Sequence, residues 1–170
     1  MAESENFVAI ILESNVMMDS KDWWIDSGAT RHICGDRNSF VNFQKIESGE
    51  KLYMGNASSS MVEGKGDVVM NLTSGKKLTL MDVLFVPEIG KNLVSTSLLS
   101  KKGFKLVFES DKLVLTKGGA FIGKGYMSEG LFKINVFNDN VIAFTINTSF
   151  MSSTYIVESC ELSYKKKGHY

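Results

Sequence analysis

The chain has 170 residues, which is about the length of one ordinary domain. Hydrophobic residues make up 44% of it and charged residues 22%, with 15 glycines and one proline, so the composition excludes a disordered or collagen-like protein. Lysine plus arginine and aspartate plus glutamate each number 19, and this zero formal charge gives no sign of a nucleic-acid or membrane-surface partner.

Cysteine content and hydropathy favour a protein of a reducing compartment. The two cysteines, Cys34 and Cys160, are too few for a disulfide framework, and we expect a cytoplasmic setting. The apolar residues 7–12 follow acidic rather than basic residues and are too few for a signal peptide. Because no stretch approaches the roughly 20 apolar residues that span a bilayer, we expect no membrane partner.

In chain order, the first element with a clear boundary is a buried strand. Residues 1–22 carry no firm period and are interpreted as a leader with one strand at residues 7–12. Trp23, Trp24 and Ile25 are bulky, β-favouring residues that give way abruptly to small and turn-forming residues at 26–30. This pattern predicts a buried strand that leads into a tight loop.

The middle of the chain predicts a hairpin, a central strand and a helix. Two apolar stretches, 52–54 and 68–72, flank a polar, glycine-rich segment, which favours a long hairpin with a polar tip. Residues 78–86 are apolar on both faces of a strand, as is typical of the centre of a domain. Residues 92–102 then predict a short helix that ends at Gly103.

The last part of the chain predicts more strands and then a tail. Apolar residues alternate from Phe104 to Phe108, resume around Leu113 and return around Ile134, with turn residues between them. Residues 138–170 are rich in asparagine, serine and threonine, and we expect them to form a weakly ordered tail.

Asp26, Ser27 and Gly28 form the one short motif in the sequence that suggests a catalytic mechanism. A carboxylate at a strand-to-loop turn has a hydroxyl beside it, and a glycine lets backbone and substrate approach closely. Composition alone gives such a tripeptide in roughly one chain in ten of this length, so by itself Asp26 could equally be a turn or cap aspartate. The apolar strand before it favours a carboxylate held at the end of a buried strand.

Further motifs surround this tripeptide in a fixed order. Together they closely resemble the protease region of copia-type retrotransposon polyproteins, especially those of plants. The residues that carry the resemblance are 23–25 (WWI), 26–34 (DSGATRHIC), 53–56 (YMGN), 62–66 (VEGKG), 82–87 (DVLFVP), 91–95 (KNLVS) and 97–99 (SLL).

The resemblance implies a retropepsin-like aspartic protease that is active only as a homodimer. The implied fold is mainly β: a closed β-barrel with a flap hairpin and one short helix, plus additional C-terminal β-hairpins. The expected organisation is a leader at 1–22, a protease core at 23–103, an additional β segment at 104–137 and a pre-integrase-like tail at 138–170. No second Asp-Ser/Thr-Gly occurs in the sequence, so each protomer would supply one catalytic carboxyl group.

Carried over to this sequence, the resemblance assigns Asp26 as the catalytic carboxylate and Ser27 as the residue that braces the two loops across the dimer. Gly28 would line the substrate cleft, and Ala29 and Thr30 would complete the active-site loop. The flap that closes on substrate is assigned to Gly55, Asn56, Ala57, Ser58 and Ser59. The family implies neither a metal nor another cofactor.

His32 and Cys34 lie two residues apart and would suit a metal site or a thiol nucleophile. Because no third or fourth ligand accompanies them, we interpret His32 as a polar loop residue and Cys34 as a small buried hydrophobe.

The implied substrate is the element's own polyprotein, cut in the cytoplasm or, by resemblance, in a virus-like particle; we expect no nucleic acid to bind this region. The end of the chain departs from the family, because Tyr164 stands where the pre-integrase segment has the first histidine of its zinc site. Two rival hypotheses stay open. One is an inactive, decayed or host-adopted remnant that acts as a dimerisation or peptide-binding module, and the other is a second half that serves only as a pre-integrase spacer.

Overall fold

The computed structural model describes residues 7–9 and 21–137. Within these residues, thirteen strands accompany one short α-helix and one 3₁₀ turn, which confirms the prediction of a mainly β fold with one short helix. The elements are β1 (Phe7–Ala9), β2 (Trp23–Asp26), β3 (Ile33–Cys34), the 3₁₀ turn (Arg37–Ser39), β4 (Phe40–Lys45), β5 (Lys51–Met54), β6 (Ser59–Met61), β7 (Gly64–Asn71), β8 (Lys77–Phe85), β9 (Asn92–Ser95), α1 (Thr96–Lys101), β10 (Phe104–Glu109), β11 (Lys112–Lys117), β12 (Ala120–Ser128) and β13 (Leu131–Ile134).

The strands form two sheets. The smaller has the order β1-β5-β6, and the larger has the order β10-β11-β12-β13-β2-β9-β3-β8-β7-β4. Strand β2 lies near the middle of the larger sheet, antiparallel to β13 on one side and parallel to β9 on the other. Closure of the larger sheet into a barrel stays a prediction.

The burial of β2 explains why its sequence is apolar at every position before Asp26. Trp23 and Ile25 pack into one hydrophobic cluster, and Trp24 packs into a second. Successive side chains of a strand point to opposite faces, so this strand contacts apolar neighbours on both faces. The predicted buried strand is confirmed, with Trp23, Trp24 and Ile25 each less than a tenth exposed.

Strands β10 to β13 form an antiparallel meander that continues the same sheet. Its side chains Leu113, Leu115 and Ile134 belong to the cluster that contains Trp23. The expected short strands are therefore present, and they share a core with the motif-bearing half of the chain. Strand β12 was not predicted, because its two glycines weaken the strand signal. At Gly125 an added Cβ would lie 2.2 Å from a backbone oxygen of β13, so the close strand approach requires glycine.

The predicted long hairpin between 52–54 and 68–72 is wrong. Strand β5 instead turns back at once and pairs with β6, while β7 pairs with β8 and β4. The glycines at 64 and 66 lie inside β7 rather than in a turn. An added Cβ at Gly66 would lie 1.7 Å from the carbonyl oxygen of Asn42, so the close approach of β4 requires glycine there. Strand β4 had not been predicted.

The helix predicted over residues 92–102 is shorter than expected. Its first part, β9, is a fully buried strand inserted between β2 and β3. The Asn92 side chain accepts from the Gly35 N–H at 3.0 Å and donates to the Asp22 carbonyl at 3.2 Å, which ties this strand to both neighbours. The helix begins only at Thr96, because tertiary pairing overrides a local helical pattern.

The chain divides into two compact units, 1–136 and 137–170, and all described elements lie in the first. The strand expected in the leader is present at β1, but the rest of the leader and the tail at 138–170 fall outside the described residues. Of the helical segments that the structure describes, none is long and apolar enough to cross a membrane.

Candidate active site

Asp26 is the last residue of β2 and lies where the strand leaves the sheet. Its register partner across the parallel pairing is Ser95, the last residue of β9. The half-buried Asp26 side chain is followed by an exposed Ser27 and an almost completely buried Ala29, which is 1% exposed. The tight loop predicted after the buried strand is therefore present.

The two oxygens of the Asp26 carboxyl group have different surroundings. Oδ1 accepts a hydrogen bond from the Gly28 N–H at 2.7 Å. Oδ2 is buried and has no hydrogen-bond partner among the described residues. Burial raises the pKa of Asp26, and the backbone N–H groups of Gly28 and Ala29 oppose this increase. The carboxyl group therefore holds its proton to a higher pH than an exposed aspartate would.

His32 and Ser95 hold the far end of the loop. The backbone N–H of Ser95 donates to His32 Nδ1 at 3.0 Å, and the Ser95 hydroxyl donates to the Ala29 carbonyl at 2.6 Å. Burial, with a smaller contribution from the Arg31 charge, lowers the pKa of His32 to about 4. His32 does lie in the loop between β2 and β3, as expected, and the structure adds that it is 5% exposed and accepts a hydrogen bond from β9.

Cys34 is completely buried, as expected for a small core hydrophobe. Burial raises the pKa of its thiol to about 11, so the thiolate that a nucleophile needs is disfavoured. Within residues 7–9 and 21–137, no group of three or more histidine, cysteine, aspartate or glutamate side chains could hold a metal ion.

The residues assigned to the flap form the turn of the β5–β6 hairpin. The Ala57 N–H donates to the Met54 carbonyl at 3.1 Å, and the Met54 N–H donates to the Ser58 carbonyl at 2.9 Å. The tip from Gly55 to Ala57 is exposed, and Ala57 has a left-handed backbone with φ of 64°. The hairpin is thus shorter than predicted, although its tip lies at the expected residues.

The base of this hairpin packs against the strand that carries Asp26. Leu52 and Val62 are buried in the same cluster as Trp24 and Leu93. The structure therefore joins the hairpin base to β2 through apolar contacts. The hairpin tip belongs to the smaller sheet, and the Asp26 loop belongs to the larger one.

Sequence reasoning missed the role of Ser95. A serine just before a short leucine-containing helix is a recognisable N-cap signal, and Ser95 does accept from the Leu98 N–H at 3.4 Å. That signal would have found the cap. It would not have found the bonds to Ala29 and His32, which lie more than sixty residues earlier in the chain.

Comparison with known proteins finds similarity to polyproteins of transposons. Residues 23–104 match the family described as the Pol polyprotein, beta-barrel domain. The chain is 32% identical over 136 residues to the retrovirus-related Pol polyprotein from transposon TNT 1-94 of Nicotiana tabacum, a match that covers 78% of this chain and 10% of that protein. The chain is therefore similar to a region of a transposon Pol polyprotein.

Two further Pol polyproteins, both from Arabidopsis thaliana, give the same result. The chain is 34% identical over 76 residues to the one from transposon RE1, covering 45% of this chain and 5% of that protein. It is 34% identical over 84 residues to the one from transposon RE2, covering 49% and 6%. The chain thus spans a tenth or less of the length of these relatives. No solved structure matches it significantly.

Proposed function

We propose that this Pol region is a retropepsin-like aspartic endopeptidase that works as a homodimer, with one Asp26 from each copy. The observation that carries the proposal is the Asp26 carboxyl group. It ends a buried strand, one of its oxygens is fixed by the Gly28 N–H, and its other oxygen is buried without a hydrogen-bond partner in the described part of the chain. An oriented, buried carboxyl group whose pKa is raised by burial suits a role in proton transfer.

The chemistry requires two such groups. Two carboxylates brought face to face do not both ionise readily, so they share one proton. The ionised member takes a proton from a water molecule as it attacks the peptide carbonyl, and the protonated member donates to the oxygen of that carbonyl. The chain has a single Asp-Ser-Gly, and a second copy would supply the second carboxyl group. Burial raises the pKa of Asp26 in one chain, which is the direction that sharing of a proton requires.

The exposed residues around Asp26 fit the remaining roles. Ser27 and Thr30 are exposed on the loop, where a second copy and a peptide would approach. The exposed turn of the β5–β6 hairpin would close on the substrate. We further propose that the substrate is the polyprotein of the element itself, because the relatives are named as Pol polyproteins. Cleavage would then take place in the cytoplasm or in a virus-like particle.

Replacement of Asp26 by asparagine tests the proposal directly. Asp26→Asn should lower the cleavage rate of a peptide library by at least about 10²-fold, since an amide neither takes nor gives the required proton. The melting temperature should not fall at neutral pH, because burial already disfavours the charged carboxylate. The matched control is Asp111→Asn, the same change at an exposed turn between β10 and β11. Equal rates for wild type and Asp26→Asn would exclude Asp26 from the mechanism.

Dimerisation is tested by sedimentation over a range of protein concentrations. Specific activity should rise through the same midpoint as the dimer fraction, because each copy brings half of the site. Cleavage by a species that sediments as a monomer would contradict the homodimer. A wild-type dimer that cleaves no member of the library would instead favour the rival hypothesis of an inactive dimerisation or peptide-binding module.

A further inference from the structure

Ser95 lies at the junction between β9 and α1, and it is the register partner of Asp26 on the neighbouring strand. It is completely buried, with 0% exposure. Serine has little reason to occupy a fully buried position unless its polar groups are used. Ser95 uses both its backbone N–H and its side chain, and its bonds reach two separate points of the Asp26 loop.

The hydroxyl group has a defined direction. A serine hydroxyl carries a single proton, and at Ser95 that proton goes to the Ala29 carbonyl at 2.6 Å. The Ser97 hydroxyl, 3.0 Å away, must therefore donate to Ser95 rather than accept from it. The Leu98 N–H donates to the same oxygen. The Ser95 hydroxyl thus connects the start of α1 to the Asp26 loop.

The backbone of Ser95 fixes the second point of the loop. Its N–H donates to His32 Nδ1, so that nitrogen carries no proton and the neutral imidazole is protonated on Nε2. The carbonyl of His32 in turn accepts from the Leu84 N–H at 2.9 Å. His32 is therefore held by β9 through its ring and by β8 through its backbone, and the segment from Ala29 to His32 has little freedom to shift.

The hydrogen bonds of Ser95 affect the Asp26 carboxyl group through the backbone of the loop. The Gly28 N–H that bonds Asp26 Oδ1 belongs to the residue immediately before Ala29. Holding the Ala29 carbonyl fixes the plane of the Ala29–Thr30 peptide, and the Ala29 and Gly28 N–H groups lie one and two residues before that plane, so the anchor limits the directions in which they point. The orientation of the carboxyl group then depends on a residue that does not touch it.

We propose that Ser95 is a positioning residue for Asp26, acting through the Ala29 carbonyl and His32. The proposal deepens the proposed protease function and rests on it where cleavage is concerned. In Ser95→Ala, the loop would lose the bond to the Ala29 carbonyl, and the N–H groups of Gly28 and Ala29 would be less well aimed at the carboxylate. Ser95 itself would contact neither the substrate nor the reacting water.

The first test uses carboxyl ¹³C NMR titration of the full chain, with Asp26 assigned by the loss of its signal in Asp26→Asn. Those N–H groups lower the pKa of Asp26, whereas burial raises it. Ser95→Ala should therefore titrate Asp26 at higher pH than wild type. The matched control, Ser100→Ala, is the same change at an exposed position of α1 and should leave the titration unchanged. An unshifted Asp26 in a folded Ser95→Ala protein would overturn the proposal.

The second test is the kinetics of peptide cleavage. Misplacement of a reacting group by about 1 Å costs up to about 100-fold in rate, so kcat of Ser95→Ala should fall tenfold or more while KM changes little. A general loss of folded protein would instead lower the active fraction without moving the Asp26 titration. If Ser95→Ala does not fold, Ser95→Cys keeps a side-chain donor that is weaker and larger than the hydroxyl, and it should shift both readouts in the same direction.

The two tests separate failure of this inference from failure of the proposed function. A wild-type protein that cleaves nothing would contradict the protease proposal, yet the Asp26 titration would still report whether Ser95 orients the carboxyl group. A wild-type protein that cleaves peptides, with unchanged kcat in Ser95→Ala, would leave the protease intact and remove Ser95 from it.

Discussion

The Asp26 loop and the turn of the β5–β6 hairpin are two short polar segments that follow a strand, and they are held in opposite ways. The loop is tied to β9 by hydrogen bonds that span 63 and 66 residues of sequence, and these bonds are buried. Among the described residues, the backbone bonds of the hairpin turn join neighbours between Met54 and Ser58, and the tip of the turn is exposed.

The difference indicates which of the two segments is built to stay fixed. Local, exposed hydrogen bonds can exchange with water at small cost, whereas buried bonds between distant elements break only if the fold opens. The loop is therefore preorganised by the whole sheet, as a catalytic carboxyl group would require. The hairpin turn can adjust to a bound peptide, as a flap would require.

The largest expected effect separates the buried face of the hairpin base from its exposed face. Leu52 is completely buried against Trp24 and Val62, so Leu52→Ala should lower the free energy of unfolding by about 2–5 kcal/mol. Its neighbour Tyr53 points to the other face of the strand and is 44% exposed. Tyr53→Ala should cost only about 0.5 kcal/mol. Urea unfolding of both variants measures the contrast.

Similar losses for these two variants would break the comparison. They would mean that the hairpin base is not anchored in the core, or that its exposed face is covered in solution. A large loss at Leu52 with little at Tyr53 would establish that the hairpin base is anchored in the core through one face of β5.

The next effect concerns the pH dependence of the folding stability that His32 causes. His32 titrates near 6.5 when unfolded and at about 4 when folded, so the unfolded chain binds more protons between those values. The stability from a neutral His32 is complete above about pH 6.5 and is lost as the pH falls towards 4. The loss amounts to about 3 kcal/mol when one pKa unit is taken as 1.36 kcal/mol.

His32→Asn isolates this contribution. The Asn Oδ1 keeps an acceptor for the Ser95 N–H but does not titrate, so the variant should lack this part of the pH dependence. Urea unfolding from pH 4 to 7 of the two proteins measures the difference of their slopes, which cancels the titration of other groups. Parallel curves over that interval would show that His32 is not held neutral by the fold.

The strand and loop around Asp26 were predictable because their signals are local. Three bulky apolar residues followed by small turn-forming ones define a buried strand and its end without reference to the rest of the chain. The hydrogen bonds of Ser95 were not predictable, because they depend on β9 being inserted beside β2. No local sequence pattern predicts a pairing between segments that are separated by more than sixty residues.

The errors elsewhere have the same origin. Residues 92–95 fit the apolar spacing of a helix that continues to residue 102, but they pair in the sheet as strand β9. Gly64 and Gly66 resemble turn residues in the sequence. In the structure β4 packs so closely against them that a side chain would not fit, so the strand requires glycine at both positions. In both cases a contact distant in sequence decided the conformation.

The smallest expected effect sharpens the view of the hairpin tip as locally determined. Ala57 is exposed and has φ of 64°, a left-handed conformation that costs an alanine about 1 kcal/mol and costs glycine nearly nothing. Ala57→Gly should therefore raise the free energy of unfolding, by less than about 1 kcal/mol because glycine also gains freedom in the unfolded chain. The NMR titration of Asp26 should stay the same, since the tip and the loop belong to different sheets. Urea unfolding and the NMR titration measure the two effects. A loss of stability in Ala57→Gly would mean that Ala57 has another backbone conformation in solution. A shifted pKa of Asp26 would mean that the hairpin tip is coupled to the Asp26 loop and is not set by local bonds alone.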